Sequence, residues 1–138
     1  MKRTLIHNAT IVNEGRSVQG SVVIEGDRIA EILTYGKKLS VPCDETIDAT
    51  GCCLLPGIID DHVHFRDPGL THKADIFTES RAAAAGGVTS IMDMPNTNPL
   101  TTTLSALEQK FDLLNEKCIV NHSCYFGATN NNYTEFNQ

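Results

Sequence analysis

Two histidines, an arginine and an aspartate alternate within the segment IIDDHVHFRDPG, residues 58–69. Their order is Asp60, His62, His64 and Arg66, each two positions after the last. Because side chains two apart on a β-strand share a face, all four are predicted to project from one side. The two imidazoles would then start about 6 to 7 Å apart at their backbones. That spacing lets both bind one divalent ion, and neutral imidazole suits zinc. Asp60 is placed to orient a ligand by accepting its other N–H.

A bare His-x-His pair is a weak indicator of a metal site, so its setting matters. The pair lies at the end of an apolar run and directly before a Pro-Gly turn. In parallel α/β folds, ligands bind at this carboxyl end of the strands. Several polar groups on one face of an apolar strand would also be costly to bury without partners. A functional site is therefore favoured over a buried structural pair.

A second polar group follows the next apolar run, in MDMPNTNPL, residues 92–100. Asn-Thr-Asn-Pro is also ordinary turn chemistry, and Asp93 has an alternative role as a turn or helix-cap acceptor. Adjacent parallel strands bring their carboxyl ends together, so Asn96 is predicted to lie near the two histidines and Arg66. An arginine fork beside an asparagine amide is a reasonable receptor for a substrate carboxylate.

The pattern of elements predicts an α/β fold in two parts. Residues 1–55 contain short β-branched or alternating runs, which predict a small antiparallel sheet or sandwich with a hairpin turn at residues 25–27. Residues 56–138 predict strand, helix, strand, helix and strand, the βαβ pattern of a parallel sheet. We expect Asp75 to cap the first helix. The buried stripe predicted for the second helix consists of Leu104, Leu107, Phe111 and Leu114.

Composition excludes several classes of function. The 138 residues are 41% hydrophobic and 20% charged, with a formal net charge of −6, which argues against broad binding to nucleic acid or to an anionic membrane. No apolar run is long enough to span a membrane, and no secretory signal follows Met1, so a cytoplasmic protein is expected. Five cysteines without a Cys-x-x-Cys pair predict free thiols and no disulfide framework.

The other three histidines are less informative. His7 falls in the N-terminal β segment and is predicted to be structural, whereas His72 falls in a loop and is predicted to be solvated. For His122, on the third predicted strand, a histidine with satisfied hydrogen bonds in the core or at its rim is the favoured interpretation.

Two separated motifs carry a family resemblance. PGIIDDHVHFRDPG, residues 56–69, and AAAAGGVTSIMDMPNTNP, residues 82–99, resemble the dihydroorotases of the amidohydrolase superfamily. The resemblance implies a zinc-dependent cyclic amidohydrolase, with one or two zinc ions, that interconverts L-dihydroorotate and N-carbamoyl-L-aspartate in pyrimidine biosynthesis. It implies His62 and His64 as zinc ligands and Arg66 with Asn96 as the residues that bind the substrate carboxylate.

The same resemblance implies a (β/α)8 barrel of the metal-dependent hydrolase type, of which residues 56–138 would be the first βα units. In this family the remaining metal ligands and the catalytic aspartate come from later strands. No catalytic residue is therefore assigned within residues 1–138. The chain is expected to be a truncated piece that does not turn over substrate alone. A small-molecule substrate is the expected partner, and a homo-oligomer is left open.

Alternatives stay open at this point. Allantoinases resemble the Ala-Gly-Gly segment but typically lack the arginine after His-x-His. Dihydropyrimidinases and hydantoinases lack the Arg/Asn pair because their substrates carry no such carboxylate. A non-catalytic assembly subunit of the superfamily is a further alternative, although retention of His62 and His64 speaks against it. A plain metal-binding module would leave Arg66 and Asn96 without a role.

Overall fold

A computed structural model describes residues 1–137 of the chain. The residues form two compact units, Met1–Pro56 and Gly57–Gln138. The boundary predicted from the sequence lay between residues 55 and 56. Within the described part of the chain, neither helix has the length and apolarity needed to cross a membrane.

The first unit is a single five-stranded sheet. Its strands are β1 (Arg3–Asn13), β2 (Arg16–Glu25), β3 (Arg28–Thr34), β4 (Glu45–Asp48) and β5 (Cys53–Leu54). The strand order is β3-β2-β1-β4, and β5 also pairs with β1. The two hairpins are antiparallel, but β4 and β5 run parallel to β1. The prediction of an antiparallel sheet is therefore wrong for these two strands, because the loop 35–44 returns the chain to the start of β1.

Residues with positive φ form the hairpin turns. Glu14 and Gly15 join β1 to β2 with φ angles of 49° and 70°, the left-handed conformation that two-residue turns require. Gly26 (φ 62°) begins the turn into β3 and confirms the hairpin predicted at residues 25–27.

An ion cluster crosses the first sheet. Arg3 on β1 donates to Glu25 Oε2 on β2 at 2.5 Å and to Glu31 Oε1 on β3 at 2.6 Å. Ser40, in the following loop, also donates to the Glu31 carboxylate through its hydroxyl and its backbone N–H. These hydrogen bonds, with that of the Ser40 hydroxyl first, hold the pKa of Glu31 below its ordinary value. Three strands and one loop are thereby tied together through the Arg3 guanidinium and the carboxylates of Glu25 and Glu31.

The second unit alternates strand and helix. Its elements are β6 (Ile58–Val63), α1 (Ile76–Ala85), β7 (Val88–Asp93), α2 (Leu104–Lys117), β8 (Asn121–Cys124) and a 3-10 helix (Tyr133–Asn137). The strands form a parallel sheet in the order β6-β7-β8, which confirms the predicted βαβ pattern. The unit is thus an α/β fragment, and residues 57–137 do not close a barrel.

Capping residues fix where the two helices begin. Asp75 accepts a hydrogen bond from the backbone N–H of Thr78 at 2.9 Å, as predicted for the start of α1. Thr103 accepts from the backbone N–H of Ala106 at 3.2 Å at the start of α2. Past the end of α1, Gly87 adopts a φ of 86°, where a residue without a Cβ ends a helix at little cost.

Four buried side chains join both helices to the sheet: Phe65, Ile76, Ile91 and Leu114. Burying each stabilises the fold by about 1.5–3 kcal/mol. On α2 the predicted apolar stripe is only partly correct, because Leu114 is fully buried while Leu104, Leu107 and Phe111 are half-buried. The other fully buried side chain of α2 is Lys110, which pairs with a buried carboxylate.

Candidate functional site

His62 and His64 lie side by side at the carboxyl end of β6. The strand ends at Val63, so His62 is its penultimate residue and His64 follows it directly. The centroids of the two imidazole rings are 5.3 Å apart, with an interplanar angle of 64°. His62 is exposed and His64 is half-buried, so a solvent cation has access to the pair. The predicted proximity of the two imidazoles is confirmed.

The sequence predicted that the side chains of residues 60–66 alternate between two faces without interruption. This prediction is wrong at both ends of the segment. The pairing of β6 with β7 shifts register between Asp60 and Val63, which interrupts the two-residue period between these residues. Arg66 lies beyond the strand and has a φ of 66°, in the left-handed region. A non-glycine residue pays about 1–2 kcal/mol for that conformation.

The structure brings Asn96 to His64, as predicted. Asn96 Oδ1 lies 2.9 Å from His64 Nδ1, and since an amide oxygen only accepts, Nδ1 carries the proton and donates. The neutral ring then has its lone pair on Nε2, the nitrogen available to a cation. Asn96 thereby orients His64 and keeps its own Nδ2 group free to donate to a ligand.

Asp60 makes a different contact from the one predicted. Its Oδ1 accepts a hydrogen bond from the backbone N–H of His62 at 3.1 Å, where the sequence suggested an imidazole N–H as donor. The carboxylate therefore supports the backbone at the end of β6.

Arg66 is half-buried, and its guanidinium forms no salt bridge or hydrogen bond within residues 1–137. Its backbone carbonyl accepts from the N–H of Leu70 at 3.0 Å, which closes a turn after β6. An anion with planar geometry is the ligand that such a group recognises best.

A buried ionic network lies beneath this site, and the sequence did not predict it. Asp93, at the end of β7, is fully buried and accepts from the backbone N–H of Phe65 at 2.9 Å. Its other oxygen pairs with Lys110 Nζ from α2. Lys110 also donates to the backbone carbonyl of Asp67, and Lys117 Nζ lies 2.7 Å from Asp67 Oδ2. The sequence does contain one signal for this network. Asp93 ends an apolar strand, where a carboxylate requires a buried partner.

Two residues in this region have shifted pKa values. The hydrogen bond to Asp67 holds the pKa of Lys117 above its ordinary value. Burial raises the pKa of the Cys124 thiol on β8 to about 11. Cys124 therefore stays protonated at neutral pH and is a poor metal ligand in this state.

The loops after β6 and β7 pack directly against each other. The backbone N–H of Asn98 donates to the carbonyl of Pro68 at 3.1 Å. Gly69 has a φ of 80°, and a Cβ at that position would lie 2.0 Å from the carbonyl oxygen of Asn98. This close approach fixes the segment that contains Arg66 relative to the segment that contains Asn96.

The other histidines do not join the pair. Nδ1 of His122 lies 3.2 Å from the carbonyl oxygen of Val120 and its Nε2 lies 3.1 Å from Asn115 Oδ1; both oxygens accept, so a neutral ring donates to one of the two. His72 is exposed in its loop. Nδ1 of His7 contacts Ser21 Oγ at 3.0 Å within the first unit.

Two imidazoles fit a zinc ion as part of a ligand set. No group of three or more histidine, cysteine, aspartate or glutamate side chains with metal-binding geometry occurs within residues 1–137. The five cysteines of this part of the chain are all free thiols. Within residues 1–137, His62 and His64 are therefore the candidate zinc ligands, and a tetrahedral zinc ion would require further ligands.

The fold and the polar residues at the strand ends first define the class of protein. A parallel sheet with helical connections and polar groups at the ends of β6 and β7 corresponds to the N-terminal portion of amidohydrolase-type structures. Residues 51–137 match the model of the dihydro-orotase-like family. The chain belongs to this family.

Curated relatives support the assignment over nearly the whole chain. The protein named dihydroorotase of Lactobacillus acidophilus is 39% identical over 133 residues, which cover 96% of this chain and 30% of the relative. The dihydroorotase of Methanosarcina mazei is 42% identical over 127 residues, covering 91% of this chain and 27% of the relative. The chain thus spans about 30% of the length of the curated relatives it matches.

Similar solved structures carry different names. An L-hydantoinase (dihydropyrimidinase) from Arthrobacter aurescens matches with a TM-score of 0.89 and 30% identity, covering 99% of this chain and 30% of that one. A dihydropyrimidinase from Brevibacillus agri matches with a TM-score of 0.80 and 30% identity, covering 98% and 29%. This chain therefore shares its fold with part of proteins named hydantoinase and dihydropyrimidinase.

Proposed function

We propose that these residues are part of a dihydroorotase, which hydrolyses the cyclic amide of L-dihydroorotate reversibly to N-carbamoyl-L-aspartate. The observation that carries the proposal is the placement of Asn96 on His64 at 2.9 Å. It puts an amide donor from one loop beside the metal-binding pair, and the loop that contains Arg66 packs on that same segment. The names of the curated relatives support this choice. A cytoplasmic role in de novo pyrimidine synthesis follows from the proposed reaction.

The proposed zinc ion would be bound by His62 and by Nε2 of His64, with the remaining ligands supplied outside these residues. When bound, zinc supplies Lewis acidity and lowers the pKa of water toward neutrality. Asn96 supports this role because it holds the proton of His64 on Nδ1. The contact of Asp60 with the His62 backbone holds the end of β6 in place.

Substrate binding is proposed for Arg66 and Asn96. The unpaired guanidinium of Arg66 would bind the substrate carboxylate through two parallel hydrogen bonds. The Nδ2 group of Asn96 would donate a further one. Binding the carboxylate here would place the ring of the substrate next to the imidazole pair, which positions the amide for hydrolysis.

A second candidate is a hydantoinase or dihydropyrimidinase activity, which the similar solved structures favour. Hydantoin and dihydrouracil lack the carboxylate of dihydroorotate, so Arg66 would have no ionic partner in them. A substrate panel of these three compounds, measured on the complete protein, separates the two activities. A complete protein without turnover and without stoichiometric zinc would indicate a non-catalytic subunit of the superfamily.

Arg66→Ala tests the carboxylate-binding role. We expect kcat/KM for dihydroorotate in the complete protein to fall about 10- to 100-fold, as for loss of a hydrogen bond to a charged group. The zinc content should stay unchanged. Arg81→Ala is the matched control, because Arg81 lies on the exposed part of α1, where its guanidinium stacks on Phe77. Equal losses in both variants, or faster turnover of hydantoin than of dihydroorotate, would contradict the proposal.

A further inference from the structure

The buried ammonium of Lys110 contacts two segments that flank Arg66. It pairs with Asp93 Oδ2, while Asp93 Oδ1 accepts from the backbone N–H of Phe65. It also donates to the backbone carbonyl of Asp67. One fully buried ion pair thus fixes the peptide group directly before Phe65 and the peptide group directly after Asp67. Arg66 is the middle one of the three residues between them.

The conformation of Arg66 requires such fixation. Its φ of 66° is disfavoured for a residue with a Cβ and persists only where the surroundings determine it. The burial of the neighbouring residues agrees with such fixation. Phe65 and Asp67 are buried beneath the site, while His64 and Arg66 are more accessible. If the two peptide groups were released, Arg66 would relax to negative φ and its side chain would change direction.

We propose that Lys110 is a positioning residue, which together with Asp93 holds the backbone of Arg66 so that the guanidinium is presented for an anionic ligand. The inference rests on the proposed function for the nature of that ligand. Its structural half, the fixation of the Arg66 backbone, is independent of it. Lys110 does not contact the ligand and acts only through Arg66.

The test neutralises the pair in the complete protein. Lys110→Met alone would leave Asp93 as a buried unpaired charge, which strongly destabilises a fold. The double variant Asp93→Asn/Lys110→Met removes both charges and keeps an amide oxygen for the N–H of Phe65. The double variant Asp67→Asn/Lys117→Met is the control, since it neutralises the neighbouring ion pair of Lys117 Nζ with Asp67 Oδ2 and keeps the Asp67 backbone carbonyl for Lys110.

Kinetic measurements in the wild-type and Arg66→Ala backgrounds distinguish a positioning role of Lys110 from a general structural role. In the wild-type background the double variant should raise KM for dihydroorotate at least 10-fold, whereas in an Arg66→Ala background it should change KM less than 2-fold. The control Asp67→Asn/Lys117→Met should change KM less than 3-fold. An equal KM increase in both backgrounds would overturn the proposal, because Lys110 would then not act through Arg66.

Amide hydrogen exchange gives a readout without turnover. The N–H of Leu70, which donates to the Arg66 carbonyl, should exchange at least 10-fold faster in the double variant. The N–H of Gly86, at the end of α1, should change less than 2-fold. Unchanged protection of Leu70 would overturn the proposal. A wild-type protein that lacks dihydroorotate turnover, with faster exchange of Leu70 in the variant, would refute the proposed function and retain the positioning role.

Discussion

At the scale of single residues, Asn96 has two separable roles. Its oxygen accepts from His64 Nδ1, and its amide nitrogen remains available to a ligand. In the proposed function, the first role acts on metal binding and the second on substrate binding. Because metal affinity is measured without substrate, the first can be tested alone. The chain also supplies a comparison, since Asn115 Oδ1 lies 3.1 Å from Nε2 of His122, a histidine outside the pair.

Asn96→Ala is expected to weaken zinc binding by the complete protein about 10-fold, in the range typical for loss of a partner that orients a metal-binding histidine. Without Asn96 the proton of His64 is free to move to Nε2, and that tautomer has no lone pair on Nε2 for the cation. Competition with a chromophoric zinc chelator measures the affinity. Asn115→Ala should leave it unchanged, and comparable weakening by both substitutions would refute the orienting role.

At the scale of elements, the site depends on how closely two loops approach each other. Gly69 follows β6 and Asn98 follows β7, and their backbones are too close for any Cβ at position 69. Gly36 offers a matched comparison, because its φ of 81° nearly equals the 80° of Gly69 while an added Cβ there would meet nothing within 4 Å.

Gly36→Ala should therefore lower the free energy of unfolding by about 1 kcal/mol, the cost of a left-handed backbone alone. Gly69→Ala should cost at least about 1 kcal/mol more, since overpacking adds about 1–3 kcal/mol. Urea denaturation followed by circular dichroism measures both. Equal destabilisation by the two substitutions would show that the loops separate without cost.

The elements show what a sequence can and cannot predict. The strands and helices of residues 57–137 follow from hydrophobic periodicity and from caps such as Asp75, and the approach of Asn96 to His64 follows from parallel pairing. Lys110 was missed because a lysine within an amphipathic helix is normally solvent-exposed. The left-handed φ of Arg66 was missed because contacts from α2 and β7, distant in sequence, determine it. The parallel direction of β4 was missed because the alternation of apolar and polar residues does not tell a parallel strand from an antiparallel one.

At the scale of the whole molecule, the perturbed ionisable groups imply stability limits at both extremes of pH. Glu31 and Asp48 have lowered pKa values, so their contribution is present above their ordinary values and is lost as the pH falls. Lys117 has a raised pKa, so its contribution is present below about pH 10.4 and is lost as the pH rises further. Maximum stability is expected between these limits.

Glu31→Gln tests the acid limit. At pH 7 the variant should be less stable than the wild type, because glutamine cannot replace the carboxylate that accepts from Ser40 and Arg3. As the pH falls below about 4.3, the ordinary pKa of glutamate, Glu31 takes up a proton in the unfolded chain before it does in the folded one, and the difference in the free energy of unfolding should shrink. Urea denaturation at a series of pH values measures it. Glu14→Gln, in the exposed β1–β2 turn, should show no such convergence. A difference that stays constant down to pH 3 would mean that the carboxylate charge of Glu31 does not stabilise the first sheet.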